Sequence, residues 1–275
     1  PRTNARVYKK VHLDNGLRVV MERIPTLRSV TLGVWVNVGS RDEQIGQEGT
    51  SHFLEHMFFK GTRSRSASQL SKEIDALGGE MNAFTTRETT TFYVKVLDQE
   101  LPEAIKLLAD LFHQSRFDAK ELEKEKQVVL EEIRMVQDDA EDLVQDLHAA
   151  HILGKHPLGR PILGKPSIIR GLTRNDLVRY VQHHYDSQST VIAVAGNFEM
   201  APTIKLLNTA FGRGPKGPVQ SMRRVPPSIH SGLVVKQKKL EQVHVCFGLP
   251  GVTAADPQRY AAHLANAVLG GSVSS

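Results

Sequence analysis

The sequence predicts an α+β fold in which a mixed, largely antiparallel sheet is packed by helices on one side. Two strand pairs joined by short turns, several apolar strand-like runs and helical patterns between them support this class. At 275 residues, 40% of them hydrophobic, the chain is long enough to bury a sizeable core. A faint repeat near the C-terminus adds the start of a second homologous copy.

The first elements are two strands around a turn at residues 14–16, followed by a strongly apolar third strand that ends at Gly39. A polar loop then leads into an apolar helix that ends at Gly61, and a short helix follows it. The stretch 80–97 is rich in threonine and aromatic residues, and its pattern predicts a hairpin.

The remaining elements of the first unit are mostly helical. The sequence predicts a helix over 101–113 and one long, charge-studded helix over 118–153, followed by an extended connector rich in proline and glycine. A helix capped by Thr173, the buried strand "STVIAVAGN" and a helix over 199–211 complete this unit.

A basic linker rich in glycine and proline separates this unit from a weak repeat of its beginning. The strand–strand–loop unit that starts at Gly16 resembles one that starts at Gly232, and each leads into an apolar helix. In that alignment Ala262, Ala265 and Asn266 stand opposite His52, Glu55 and His56. We therefore predict a first domain over 1–215, a linker over 216–230 and, over 231–275, the truncated beginning of a second domain.

Charge and cysteine content exclude several classes of protein. Thirty-five basic and 30 acidic residues give a net charge of +5, and the basic residues are scattered, which argues against nucleic-acid binding. No apolar run reaches the roughly 18 residues of a membrane span. The single cysteine, Cys246, excludes an internal disulfide and a cysteine-cluster metal site, and its alternating apolar neighbours predict a buried strand position.

Three titratable residues, His52, Glu55 and His56, lie in one of the most apolar segments of the chain. At about 100° per residue, they fall within about 100° of one another around the helix. A helix that is apolar all round is usually buried, where unpaired imidazole and carboxylate groups are costly. A metal ion removes this conflict, because the two histidines offer nitrogens on one side and the glutamate can act as general base. The alternative is that backbone carbonyls satisfy both histidines and that Glu55 is solvated.

A third metal ligand is expected from the long helix, which offers five glutamates. Glu125 and Glu132 lie about 20° apart in the apolar stripe, whereas Glu123 and Glu131 fall on the solvated face. Two carboxylates in a buried stripe need partners, which a metal with its surrounding shell or a buried lysine or arginine would supply. The residues alone leave both explanations open.

Five stretches in this order carry a resemblance to a known family: "HFLEHMFFKGT", "GGEMNAFTTRETTTFY", "EKEKQVVLEEI", "HPLGRPILG" and "VIAVAGNF". They resemble the pitrilysin-like inverzincin zinc metallopeptidases, in the branch of mitochondrial processing peptidase β and its bacterial homologues. The resemblance implies His52, His56 and Glu132 as the ligands of one zinc ion. It also implies Glu55 as general base and Glu125 as support behind the ligands.

The same resemblance implies a site for the substrate. Asn82, Ala83, Phe84 and Thr85 would lie on an edge strand facing the zinc, where an extended peptide adds through main-chain hydrogen bonds. From the residues alone, this hairpin is an ordinary threonine-rich strand pair. The implied function is a zinc-dependent endopeptidase that hydrolyses extended peptides or unfolded protein segments.

Two alternatives accompany that function. In the family, a second half supplies an Arg/Tyr pair that holds the substrate, and this sequence ends before such a motif, which predicts a weakly active or inactive fragment. The other alternative is a scaffold or peptide-binding subunit of the same fold. We expect a peptide or unfolded protein as substrate, and a homodimer or a homologous subunit as partner. The expected compartment is the bacterial cytoplasm, with the mitochondrial matrix as the alternative.

Overall fold

A six-stranded sheet forms the centre of the protein. The structure is a computed structural model that describes residues 7–213 and 224–271. Its strands are β1 (Val7–His12), β2 (Arg18–Arg23), β3 (Ser29–Val36), β4 (Glu80–Thr85), β5 (Thr90–Leu97) and β6 (Thr190–Gly196). Their order is β1-β2-β6-β3-β5-β4, and every neighbouring pair is antiparallel except β2 with β6. The predicted α+β class is confirmed.

The described part of the chain contains helices in addition to this sheet. The helices of the described residues are α1 (Thr50–Phe58), α2 (Ala67–Ala76), α3 (Leu101–Gln114), α4 (Ala119–Asp138), α5 (Ala140–Leu153), α6 (Pro166–Gly171), α7 (Arg174–His184), α8 (Met200–Phe211) and α9 (Arg259–Gly270). Burial alternates along β2 and β6, so that one face of the sheet is more fully covered than the other. None of these helices is both long enough and apolar enough to cross a membrane.

The main core joins the sheet to α1, α3 and α4. Leu32 and Val34 of β3, Phe53 and Met57 of α1 and Ile105 of α3 are all fully buried in one cluster. Burying each such side chain contributes about 1.5–3 kcal/mol to folding. The core therefore packs α1 against both the sheet and α4.

The prediction of one long helix over 118–153 is wrong in one respect, because the chain leaves helical geometry at Asp139. This residue adopts an extended conformation, with φ −74° and ψ 122°. Its carboxylate accepts hydrogen bonds from the N–H groups of Glu141 and Asp142, at 2.8 and 3.0 Å. Asp139 therefore begins a new helix, α5, as a capping residue does.

The C-terminal part of the chain differs from the expectation of a second set of strands. Residues 224–258 contain neither helix nor strand, although α9 lies where the repeat predicts a helix. The predicted buried strand position of Cys246 is wrong, since this residue is partly exposed. A strand needs a neighbour for its backbone hydrogen bonds, and the described residues of this part offer none. The predicted linker over 216–230 lies partly outside the described residues, and the domain boundaries stay a prediction.

Candidate active site

Helix α1 begins at a glycine with positive φ and a buried acid. Gly49 has a φ of 93°, which favours glycine, and a Cβ there would lie 2.6 Å from the carbonyl oxygen of Leu163. The Glu43 carboxylate accepts hydrogen bonds from the N–H groups of Gly49 and Ser51, at 2.9 and 2.8 Å. Burial raises the pKa of Glu43 to about 7, although these N–H groups lower it. Glu43 therefore holds the N-terminus of α1 in place.

The structure brings His52 and His56 of α1 together with Glu132 of α4. Atom Nε2 of His52 lies 3.8 Å from Oε2 of Glu132, and Nε2 of His56 lies 3.5 Å from the same oxygen. The two imidazole rings are 4.6 Å apart between centroids. Within the described residues, these are the three side chains whose ligand atoms are close enough to hold one metal ion.

The spacing of these atoms fits a tetrahedral zinc ion. Zinc bonds of about 2.0–2.2 Å to nitrogen and oxygen set the ligand atoms about 3.3–3.5 Å apart, close to the observed separations. Atom Oε2 of Glu132 is buried and has no hydrogen-bond partner in the described part of the chain. This oxygen is buried, carries negative charge and faces two imidazole nitrogens. A metal cation would supply the partner that it lacks.

Glu125 lies behind this group and contacts His56 from the other side of its ring. Its Oε1 is 2.8 Å from Nδ1 of His56, and its Oε2 is 2.7 Å from Nζ of Lys60. Burial raises the pKa of this carboxyl, but the hydrogen bonds from His56 and Lys60 outweigh it and leave the pKa below its usual range. Carboxylates in this position orient metal-binding histidines.

Lys60 is a site residue that sequence reasoning missed. The sequence allowed a buried lysine or arginine as a partner for Glu125, without saying which one. Lys60 follows His56 by four residues and lies two residues beyond the end of α1, so its spacing was the available signal. The structure shows that Glu125 has both kinds of partner, the histidine and the lysine.

The two histidines differ in their surroundings. Burial, together with the neighbouring His56, lowers the pKa of His52 to about 4. Burial also lowers the pKa of His56, but the hydrogen bond to Glu125 and the charges of Glu132 and Glu125 outweigh it and raise this pKa. His52 is therefore neutral at physiological pH, the form in which an imidazole binds a metal.

Glu55 lies on the same face of α1 and contacts the hairpin strand. Its Oε2 accepts a hydrogen bond of 2.6 Å from the hydroxyl of Thr85, the last residue of β4. Burial raises the pKa of Glu55, and the hydrogen bond from Thr85 opposes this change. The arrangement puts a carboxyl group that can accept and release a proton beside the histidine pair.

Strand β4 carries the four residues of the predicted substrate site at the edge of the sheet. It pairs with β5 on one side only, in the described sheet order. Asn82 and Phe84 are exposed, whereas Ala83 and Thr85 are half-buried. Atom Oδ1 of Asn82 accepts a hydrogen bond of 2.8 Å from the N–H of Ala83. The strand thus offers a free edge next to Glu55.

Two family models match the chain. The model described as "Insulinase (Peptidase family M16)" matches residues 18–166, and the model described as "Peptidase M16 inactive domain" matches residues 171–275. The first match contains the histidine pair, Glu55, β4, Glu125 and Glu132.

Among curated proteins, the chain is 42% identical over 268 residues to "Uncharacterized zinc protease YmxG" of Bacillus subtilis. This match covers 97% of the chain and 65% of that relative. A zinc protease of Streptomyces coelicolor is 40% identical over 97% of the chain and 60% of its own length. "Probable mitochondrial-processing peptidase subunit beta" of Arabidopsis thaliana is 36% identical over 94% of the chain and 49% of its length. The chain thus spans less than two thirds of these relatives.

Solved structures agree on the fold. A protease from Helicobacter pylori superimposes with a TM-score of 0.73 at 24% identity, over 82% of the chain and 54% of that protein. A putative M16-like peptidase from Alicyclobacillus acidocaldarius gives a TM-score of 0.70 at 22% identity, over 82% and 52%. At these identities the likeness concerns the fold alone.

Proposed function

The chain belongs to the insulinase family of peptidases, family M16, and we propose that it is the catalytic part of a zinc-dependent endopeptidase. The single observation that carries this proposal is the convergence of three ligand atoms. Both Nε2 atoms of His52 and His56 face one buried oxygen of Glu132, at 3.8 and 3.5 Å. The curated relatives named as zinc proteases support zinc as the ion.

In this proposal His52, His56 and Glu132 hold one zinc ion, and Glu125 orients His56. When bound, zinc supplies Lewis-acid polarisation of the scissile carbonyl and makes water acidic enough to lose a proton near neutral pH. Glu132 supplies negative charge to the site, while the low pKa of His52 keeps its imidazole ready to bind without first losing a proton.

Glu55 is the proposed general base. It takes a proton from the attacking water and passes it to the leaving amine, which completes hydrolysis of the peptide bond. The hydrogen bond from Thr85 holds one oxygen of Glu55 and leaves the other for the water. The raised pKa of Glu55 supports this role, because a base that must also deliver a proton works best with a pKa near the working pH.

The proposed substrate is an extended peptide or an unfolded protein segment. Such a chain would add to the free edge of β4 through main-chain hydrogen bonds, with Asn82 and Ala83 near the scissile bond. The contact between Thr85 and Glu55 supports this position, since it ties the end of the edge strand to the proposed base. Phe84 is exposed on this strand and is available to a substrate side chain.

Elemental analysis combined with a quenched-peptide assay tests the proposal. A peptidase has one zinc ion per chain and cleaves the peptide. Zinc without cleavage would favour the alternative of a fragment or peptide-binding subunit, and the absence of zinc would favour a scaffold. The same assay is then run on a chain extended to the length of the relatives. Cleavage by the extended chain alone would show that the added residues are required, whereas no cleavage by either chain would contradict the proposed mechanism.

Two neighbouring glutamates of α4 provide a matched test of the ligand set. We expect Glu132→Gln to weaken zinc binding by more than about 100-fold, since even partners behind the ligands contribute about 10–100-fold. Glu131→Gln removes an exposed carboxylate that pairs with Arg134, and it should leave the affinity unchanged. Competition with a fluorescent chelator measures both variants. Equal losses would contradict the assignment of Glu132.

The second domain, the partner and the compartment complete the proposal. We propose that 231–275 begins a second, metal-free domain after the linker 216–230, and limited proteolysis that spares this linker would argue against it.

A homodimer or a homologous partner subunit is proposed, to be measured by light scattering. A bacterial cytoplasmic location is proposed, with the mitochondrial matrix as the alternative, and cell fractionation tests this. The plant relative named as a mitochondrial-processing peptidase subunit is the reason for keeping the alternative.

A further inference from the structure

Lys60 is the one cation in contact with the acid behind the metal site, in the part of the chain that the structure describes. Its ammonium group lies 2.7 Å from Oε2 of Glu125, and its side chain is 30% exposed. It lies two residues beyond the end of α1, where its N–H donates a hydrogen bond of 3.2 Å to the carbonyl of Met57. The tight end of α1 thus directs Lys60 back towards α4.

Glu125 uses both of its oxygens and is otherwise enclosed. Its side chain is 5% exposed, with Oε1 on Nδ1 of His56 and Oε2 on Lys60. Without the lysine, Oε2 would be a buried charged oxygen with no partner, which is costly. The carboxyl group would then rotate towards water, which weakens its hold on Nδ1 of His56.

The orientation of Glu125 decides which nitrogen of His56 carries a proton. In the neutral imidazole, a carboxylate that accepts a hydrogen bond from Nδ1–H leaves Nε2 without a proton, and Nε2 is the atom that faces Glu132. No such hydrogen bond fixes the tautomer of His52, because its Nδ1 is buried without a hydrogen-bond partner among the described residues. The two histidines therefore differ in whether a carboxylate selects the nitrogen that carries the proton.

We propose that Lys60 is a positioning residue of the metal site. By holding Oε2 of Glu125, it keeps Oε1 on Nδ1 of His56 and presents Nε2 of His56 as a ready metal ligand. This inference rests on the metal site of the proposed function. It adds a residue outside the ligand set that acts through Glu125 and contacts neither metal nor substrate.

The first test measures the protonated nitrogen of His56 in metal-free protein, in mildly alkaline buffer. Long-range ¹H–¹⁵N correlation spectra of imidazole-labelled protein distinguish the two tautomers. We expect the Nδ1–H form in the wild type and in Lys60→Arg, which keeps the charge and the donor groups. Lys60→Met should show a mixture of both forms, while the signals of His52 stay unchanged.

The second test measures zinc affinity by chelator competition. We expect Lys60→Met to lose about tenfold, as is typical when a partner behind a metal-binding histidine is disturbed, and Lys60→Arg to stay close to the wild type. Lys165→Met is the matched control, because Lys165 also pairs with a buried carboxylate, that of Glu48, which touches neither histidine. This control should bind zinc like the wild type.

A wild-type tautomer in Lys60→Met would overturn the inference whatever its zinc affinity, as would an equal loss of zinc affinity in Lys165→Met. If Lys60→Met does not fold, as judged by circular dichroism, Lys60→Gln takes its place with the same expectations. The tautomer is measured without metal, so it decides the inference by itself. A wild-type chain that binds no zinc would contradict the proposed function instead.

Discussion

Helices α1 and α9 occupy equivalent places in the predicted repeat, yet one is core and the other is exposed. Both are apolar, and the alignment pairs Leu54 with Leu264. Leu54 is fully buried, whereas Leu264 is 71% exposed, and α9 buries no residue. Strands β4 and β5 and helix α4 cover α1, while no strand lies within the described residues 224–258 that precede α9. An apolar helix becomes core only where a sheet supplies the other half of the contact.

The two helices also differ in chemistry. Helix α1 carries His52, Glu55 and His56, and each has a partner from a distant part of the chain: α4 for the histidines and β4 for the glutamate. The equivalent residues of α9 are Ala262, Ala265 and Asn266. The buried helix and the proposed metal ligands therefore occur in the same copy. The predictions below test whether this difference holds in solution.

The largest expected effect is on catalysis. Glu55→Gln removes the proposed base while keeping the size of the side chain, and we expect cleavage of a quenched peptide to fall by about 10²–10⁴-fold with zinc still bound. Ala265→Gln, at the equivalent exposed position of α9, is the control and should cleave like the wild type. Cleavage by Glu55→Gln at the wild-type rate would rule out the proposed base.

The second prediction compares one substitution at two equivalent positions. Leu54→Ala should lower the free energy of unfolding by about 2–5 kcal/mol, because it leaves a cavity in a packed core. Leu264→Ala should change it by less than about 0.5 kcal/mol, as exposed substitutions usually do. Urea denaturation measures both values. A comparable loss at Leu264 would show that α9 is buried in solution and would remove the contrast.

The smallest expected effect concerns the start of each helix. Glu43 holds the N-terminus of α1, whereas Gln258 begins α9 without a side-chain hydrogen bond. Burial raises the pKa of Glu43 from 4.5 to about 7, so between these values the folded chain keeps a proton that the unfolded chain releases. The stability that this carboxyl contributes is complete below pH 4.5 and is lost as the pH rises to about 7.

Accordingly, the unfolding free energy of the wild type, relative to that of Glu43→Gln, should fall by up to about 3 kcal/mol over this pH range. Glutamine has no proton to release, so the variant lacks this contribution. Denaturation at a series of pH values measures the difference, and Glu241→Gln at an exposed position is the control. A difference that grows with pH would contradict the sign derived from burial.

Much of the fold was predictable because its elements follow their own periodicities. The strand pairs, the apolar third strand and the helix capped by Thr173 are confirmed, and the capping hydrogen bond to Asp176 is present. The break at Asp139 was missed, because an apolar stripe continues on both sides of it while the cap depends on local hydrogen bonds. The absence of strands in 224–258 was missed because pairing depends on neighbours, not on alternation alone.

By itself, the sequence determined which residues could meet. Helical phase places His52, Glu55 and His56 on one face of α1 and Glu125 and Glu132 on one face of α4, because side-chain direction repeats with the turn of the helix. Only the tertiary structure decided what each of them meets. Seven residues separate the two glutamates by about 10 Å along the axis, so the packing of α1 on α4 sets their different partners. Glu132 faces both Nε2 atoms, whereas Glu125 lies between His56 and Lys60, since a contact between distant segments depends on how they pack and leaves no period in the sequence.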